Sequence, residues 1–444
     1  MTEAFRETWL AHRAAALPER LALRSGGLDL TYAELEAEAT AVAARLRDRG
    51  AVEGSIVPLD LPPSTEFVAH LHAFAKLGAV AAPARPGAIQ GAAPAPIREG
   101  APAPPTSQTS HAAPYRGAIG TFPLAETPGA LARLLTSGTT GEPRPVDLTR
   151  DNFFHSAVGT ALALGIGPQD RWLCCLPLDH VAGLSILTRS AICGIGVVLH
   201  DGFDADRVAQ SFEEDGVTLV SLVATQLVRL LEAGVDLAGP RAILLGGGPV
   251  PVDLVMEATG RGATVIQVYG MTETTSQVTL LEPADAERKA GSAGRATLGA
   301  QIRIDEGEIL ARGPVVAPGS VGEDGWLRTG DLGRIDDDGY LWVDGRKGDL
   351  IVTGGENVMP ERVEDVLKAH PDVLDAAVVG RPDPEWQEAV TAVVVLRPGA
   401  AEDADALREH CAAHLAGYEV PKRFSFVVDL PRTASGKLMR SALR

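Results

Sequence analysis

The sequence predicts an α/β protein of more than one domain. Strand-like and helix-like patterns alternate through most of the chain. Two apolar strand segments end in glycine, at Gly246-Gly247-Gly248 and at Gly270, where an open parallel sheet carries its functional loops. From about Gly294 the pattern changes to short strands with hairpin turns, and a separate βα-rich module follows Asp344-Gly345-Arg346. With 444 residues the chain exceeds what one core organises, so about two or three domains are expected.

Thr31 opens a helix whose apolar positions are Leu35, Ala39, Val42 and Leu46, ending near Gly50. A strand is expected at Ile56–Leu59, a helix from about Ser64 to Leu77, and a strand from Gly78. Residues 82–128, rich in Ala, Pro and Gly, break the periodicity and read as a low-complexity connector. Thr149 reads as the N-cap of the next helix. Strands at Trp172–Leu176 and Gly196–Leu199 flank a helix from about Val181 to Ser190. A strand at 217–220, a helix at Thr225–Ala233 and strands at Arg241–Leu245 and Val265–Tyr269 follow. Asp336-Asp337-Asp338-Gly339 is a hairpin turn into the strand Tyr340–Val343; contiguous aspartates do not make an EF-hand loop. In the last module Pro360 starts a helix. Strands at Asp375–Gly380 and Ala389–Leu396, a helix near Asp403–Leu415 and a strand at Phe424–Val428 complete it.

The composition is that of an ordinary globular protein, 45% apolar and 22% charged. A net charge of −18 argues against a general nucleic-acid or anionic-membrane binder. Met1–Arg6 carries charges where a signal peptide needs an apolar run, and no apolar stretch is long enough for a membrane span, so a cytoplasmic location is expected. The four cysteines lack metal-ligand spacing and read as reduced, buried thiols. A homodimer is left open.

The chemistry centres on Leu134-Leu135-Thr136-Ser137-Gly138-Thr139-Thr140-Gly141-Glu142-Pro143-Arg144. An apolar run stops at a cluster of hydroxyls and glycines, followed by a cation. Glycines let a backbone approach a ligand closely, and hydroxyls, freed N–H groups and Arg144 suit phosphate oxygens. The spacing differs from a Walker loop, since no Gly-Lys-Ser/Thr follows. The bland alternative is a Ser/Thr/Gly surface turn.

The stretch resembles the signature loop of the adenylate-forming superfamily, which includes acyl- and aryl-CoA synthetases, peptide-synthetase adenylation domains and luciferases. Lys is usual there in place of Arg144. Further segments match in the family's order. Gly246-Gly247-Gly248-Pro249 resembles the loop lying along adenine. Tyr269-Gly270-Met271-Thr272-Glu273 resembles the Y-G-x-T-E motif: Tyr269 would stack on adenine, Thr272 would bond the α-phosphate, and Glu273 would hold Mg²⁺. Arg328-Thr329-Gly330-Asp331 matches an element whose aspartate accepts both ribose hydroxyls, and Gly345-Arg346 an interdomain pair near ribose and phosphate. Pro431–Lys437 matches the C-terminal P-x-T-x-x-G-K pattern, whose lysine, here Lys437, contacts the reacting carboxylate.

The resemblance implies a large N-terminal domain of α/β sheets with a small β-barrel-like subdomain (1–344), a hinge (345–348) and a small mobile α+β C-terminal domain (349–444). It implies ATP, Mg²⁺ and coenzyme A as reactants and a carboxylic acid as substrate. After adenylation the small domain would rotate and present Gly354-Gly355-Glu356 to the thioester step. The pivot falls on Gly348, where the family usually has Asp or Lys. His180, in Leu178-Asp179-His180-Val181-Ala182-Gly183, matches the histidine guarding the acid pocket, which Gly270 would also line. Several stretches, including Ala224–Leu231 and Gly270–Gln277, are most similar to one subfamily of CoA ligases whose aromatic acid carries a second carboxylate. Arg229 or Arg189 would hold that group. Other aryl- or acyl-CoA ligases, carrier-protein-loading enzymes and a silent nucleotide-binding protein remain the alternatives.

Overall fold

A computed structural model describes residues 8–84, 122–137, 143–432 and 438–444. The local signals act as expected at several helix starts. The Thr31 hydroxyl accepts from the Glu34 N–H while the Glu34 carboxylate accepts from the Thr31 N–H, a reciprocal cap for Tyr32–Asp48. Ser64 caps Thr65–Leu77, and Thr149 with Asn152 caps Arg150–Leu164. Pro360 occupies the first turn of Pro360–Lys368.

Among the described residues the largest sheet has nine strands. From one edge they are Arg295–Ala296, Thr279–Leu280, Val265–Tyr269, Ala242–Leu245, Leu219–Leu222, Arg171–Cys174, Gly196–Leu199, Leu21–Ser25 and Leu28–Thr31. The strands from Val265–Tyr269 to Leu21–Ser25 run parallel, and both edges are antiparallel. Buried side chains alternate between the faces: Trp172 and Cys174 join the core containing Leu184 and Leu187, while Leu173 and Cys175 join Leu227, Leu230 and Val255. Burying each such leucine contributes about 1.5–3 kcal/mol. The described loops leaving the carboxyl ends of these strands carry residues 175–180, 246–248 and 270–276.

A second sheet pairs Ile56–Leu59, Val80–Pro83, Ala130–Ser137 and Pro143–Thr149. A third is an antiparallel meander, Gln301–Asp305, Glu308–Arg312, Leu327–Ile335 and Leu341–Arg346. The C-terminal sheet joins Glu356–Val358, Ile351–Thr353, Gln387–Leu396 and Val373–Asp383, with Arg423–Phe426 parallel to Gln387–Leu396. The helices Pro360–Lys368 and Ala404–His414 share its core through Val363, Leu367, Leu407 and Cys411.

Three expectations need correction. The helix after His180 runs on to Cys193 and stops at Gly194, whose φ of 73° takes the left-handed conformation that caps a helix end. The strand expected at 340–343 is Leu341–Arg346, so Arg346 ends a strand. The connector read over 82–128 lies mostly outside the described residues, at 85–121; its ends are held in place, 82–83 in the strand Val80–Pro83 and 122–125 by hydrogen bonds. The Ile56 N–H donates to the Pro123 carbonyl at 2.7 Å and the Ala125 N–H to the Gly54 carbonyl at 2.9 Å, satisfying backbone groups at the start of a strand.

Candidate active site

The strand Val265–Tyr269 ends in a tight turn. A Cβ on Gly270 would lie 2.1 Å from the Ser276 carbonyl oxygen, so only glycine fits. Thr272–Thr274 form a single 3₁₀ turn, followed by Thr275 and Ser276 at φ 53° and 83°. A β-branched residue at positive φ is costly and persists only where its surroundings hold it. Here the Thr275 hydroxyl donates to the Val315 carbonyl at 2.8 Å, and its own carbonyl accepts from the Ser156 hydroxyl at 2.9 Å. The Ala317 N–H donates to the Glu273 carbonyl at 2.8 Å. The turn presenting Thr272 and Glu273 is therefore fixed by its neighbours.

Three of the expected residues meet directly. The meander pairs Asp331 with Arg346 across adjacent strands. Arg346 Nε donates to Asp331 Oδ1 at 2.8 Å, and the Tyr269 hydroxyl donates to Oδ2, also at 2.8 Å. Burial, reinforced by the Asp331 carboxylate, pushes the Tyr269 phenol well above its ordinary range, which keeps it a proton donor. Each carboxylate oxygen accepts more than one hydrogen bond, so the pair of ribose hydroxyls expected at Asp331 remains compatible with both contacts. Gly246, Gly247 and Gly248 follow the strand adjacent to that of Tyr269. A Cβ on Gly246 would come 2.6 Å from Val268 Cγ2, and Gly247 has φ 83°.

The phosphate-loop candidate is framed by the hairpin Ala130–Ser137 and Pro143–Thr149, in which Thr136 faces Arg144. Arg144 is exposed, and its carbonyl accepts from the Thr136 hydroxyl at 3.3 Å. Ser137 ends the first strand. Gly138, Thr139, Thr140 and Gly141 lie outside the described residues, as does Lys437.

His180 precedes the helix Val181–Cys193, and a Cβ on Gly183 would lie 2.3 Å from the Pro177 carbonyl, which explains the glycine in that motif. The two arginine candidates separate. Arg229 is exposed, its guanidinium 4.9 Å from the Phe203 ring centroid. Arg189 is buried in the core, 5.1 Å from the Trp172 centroid, and donates weakly to the Ser156 hydroxyl at 3.3 Å. Burial lowers its pKa to about 10.

At the hinge candidate, Gly348 is exposed, and a Cβ there would meet nothing within 4 Å. Gly354 and Gly355, at φ 59° and 85°, form the exposed two-residue turn that brings Thr353 opposite Glu356. Sequence reasoning missed the charged cluster beside this segment. Arg440 Nη2 lies 3.0 Å from Glu361 and 2.8 Å from Glu364, and Nη1 lies 3.3 Å from Asp349. The spacing of Glu361 and Glu364 on one helix face was the available signal.

Among the described residues no group of three or more His, Cys, Asp or Glu forms a metal cage. The Glu273 carboxylate, in the turn after the strand, is a hard oxygen donor, which fits a magnesium ion completed by phosphate oxygens and water. No helix among the described residues is long and apolar enough to cross a membrane.

A family model described as AMP-binding enzyme matches residues 10–99 and 115–321, and one described as AMP-binding enzyme C-terminal domain matches residues 362–437. A 2-succinylbenzoate–CoA ligase of Bacillus licheniformis is 39% identical over 477 aligned residues, covering 98% of each chain. Its counterpart in Listeria monocytogenes is 40% identical, over 71% of this chain and 70% of its own. Among solved structures, o-succinylbenzoate CoA synthetase from Bacillus subtilis in complex with its acyl-adenylate intermediate superposes with a TM-score of 0.85 at 33% identity, covering 98% of both chains. The same enzyme with ATP and magnesium ion gives a TM-score of 0.84 at 34% identity, covering 98% of this chain and 99% of that one.

Proposed function

The chain belongs to the family of AMP-binding enzymes, and from that premise we propose that it is a 2-succinylbenzoate–CoA ligase of menaquinone biosynthesis. The observation carrying the reading within the molecule is the meeting of Tyr269, Asp331 and Arg346 beside the Gly246–Gly248 loop, on a scaffold similar throughout to such ligases.

One carboxylate oxygen of the acid attacks the α-phosphorus of ATP in line, and pyrophosphate leaves. Acid and triphosphate are both anions, so the site must hold them together against repulsion. Arg144, Lys437 and the field of a magnesium ion at Glu273 supply positive charge, and Thr136–Gly141 and Thr272 orient the phosphates. Asp331, already braced by Tyr269 and Arg346, fixes the ribose without reorganising. The resulting acyl-adenylate is a mixed anhydride. The thiolate of coenzyme A then attacks its carbonyl carbon, and AMP departs.

Residues 1–344 and 349–444 are the two working parts, and the segment 345–348 is the hinge that lets Lys437 and then Gly354-Gly355-Glu356 reach the site. His180 and Gly270 border the acid. We assign the non-reacting carboxylate to Arg229, an exposed residue, and not to the core residue Arg189. The cytoplasm, which holds ATP and coenzyme A, suits this reading, and a homodimer is compatible with it.

The test is thioester and AMP formation from ATP, Mg²⁺ and coenzyme A with o-succinylbenzoate, benzoate, hydroxybenzoates and medium-chain fatty acids. Selectivity for o-succinylbenzoate is expected. Arg229→Ala should raise its KM about 10- to 100-fold, the worth of one charged hydrogen bond, with the KM for ATP unchanged. Preference for another acid would sink the substrate assignment. Adenylate without thioester would point to a carrier-protein acceptor.

A further inference from the structure

The Asp331 strand does not follow its neighbour evenly. Glu308 faces Leu332 while Leu310 faces Arg328, so the strand Leu327–Ile335 carries an excess of residues around Thr329-Gly330-Asp331. Such a bulge removes backbone groups from the ladder and re-aims the side chain beside it. Gly330 takes φ 72°, and the side chain re-aimed is Asp331. Within the bulge the Asp331 N–H donates to the Thr329 hydroxyl at 3.1 Å, and two bonds tie it to the neighbouring strand. The Thr329 hydroxyl donates to the Ile309 carbonyl at 2.7 Å, and the Gly330 N–H donates to Glu308 Oε1 at 3.1 Å.

Glu308 is buried, at 5% exposure. A buried carboxylate needs paired charge and hydrogen bonds. Its second oxygen has both: Lys347 Nζ donates to Oε2 at 3.2 Å, and Arg328 Nη1 stands 3.6 Å away. Lys347 is the residue after Arg346, which itself bonds Asp331. One carboxylate thus spans the bulge that aims Asp331 and the segment entering the hinge.

We propose that Glu308 is a positioning residue for the nucleotide: its Oε1 holds the Gly330 bulge that aims Asp331 at the ribose, and its Oε2 ties Lys347 to the same support. The inference rests on the ligase reading only through the place of the ribose at Asp331. It does not depend on which acid is activated.

Two substitutions separate the two oxygens' roles. Glu308→Gln keeps an acceptor for the Gly330 N–H and loses the charge toward Lys347. Glu308→Asp keeps the charge and draws the acceptor back by one methylene. AMP and 2′,3′-dideoxy-AMP are titrated by calorimetry against the full-length protein and both variants, with thermal melts alongside. For Glu308→Asp, AMP binding should weaken about tenfold, the worth of one hydrogen bond, and its advantage over the dideoxy nucleotide should collapse. Glu308→Gln should stay within about threefold of the parent and keep that advantage. A merely structural role would lower melting temperature and weaken both nucleotides equally, and that outcome overturns the proposal. So does Glu308→Gln as weak as Glu308→Asp, or Glu308→Asp indistinguishable from the parent. A parent protein that binds no AMP would sink the ligase reading as well.

Discussion

Replacing Glu361 by glutamine removes a carboxyl that the fold holds away from water. Glu361 lies in the first turn of the helix Pro360–Lys368 with 9% exposure, packed against Gly345. A Cβ on Gly345 would fall 2.5 Å from its Oε2, so the strand ending at Arg346 approaches it as closely as a glycine allows. Burial pushes its pKa from 4.5 to about 7. The Arg440 guanidinium opposes the rise but is shared with Glu364 and Asp349, and both carboxylates add to it. Below about pH 4.5 the group is neutral folded and unfolded, so it has no differential effect. Between there and about pH 7 the folded protein keeps a proton that the unfolded chain has released, and stability falls as pH rises. The full cost, present above about pH 7, is on the order of 3 kcal/mol. Glutamine has nearly the same shape and does not titrate. Glu361→Gln should therefore match the parent near pH 4.5 and become progressively more stable toward pH 8. For a unit of about 60–100 residues, a gain of about 1 kcal/mol raises the melting temperature by roughly 4–8 °C. Calorimetric melts of both proteins across that range provide the assay. Parallel pH profiles would refute the reasoning, because they would mean that Glu361 titrates alike in the folded and unfolded chain.

Other substitutions test the site more locally. Gly270→Ala forces a Cβ to within 2.1 Å of the Ser276 carbonyl, so the turn carrying Thr272 and Glu273 must move; adenylation measured by pyrophosphate exchange should fall at least about tenfold, and the protein should lose about 1–3 kcal/mol in denaturant titrations. Gly348→Ala places its Cβ in open space, so melting should be unaffected within about 0.5 kcal/mol, while single-turnover assays should show an altered ratio of adenylate to thioester formation. Arg189→Met replaces a buried cation by an apolar chain of similar length. It should be neutral or stabilising by about 1–2 kcal/mol, with the acid's KM unchanged; a loss of acid affinity would transfer the second-carboxylate role from Arg229 to Arg189.

Much of this protein is legible from sequence alone. Thr31, Ser64 and Thr149 announce helix starts because a cap is settled by residues three positions away. The apolar runs at 172–175 and 242–245 announce buried strands because hydrophobic burial follows local pattern. The motif residues at 269–273 and 328–331 were visible, and so was the family they belong to. Tertiary structure decided the rest. That Asp331 stands between Tyr269 and Arg346 depends on strand register and on a bulge braced by Glu308, from a neighbouring strand. That Arg189 is core while Arg229 is exposed depends on which helix face meets which sheet. That Glu361 holds its proton near neutrality depends on Gly345 and Arg440, which lie on other elements of the chain. Caps and periodicity are short-range and therefore written in sequence. Burial, register and the electrostatic field at a carboxylate are sums over distant neighbours, and only the folded chain brings those together.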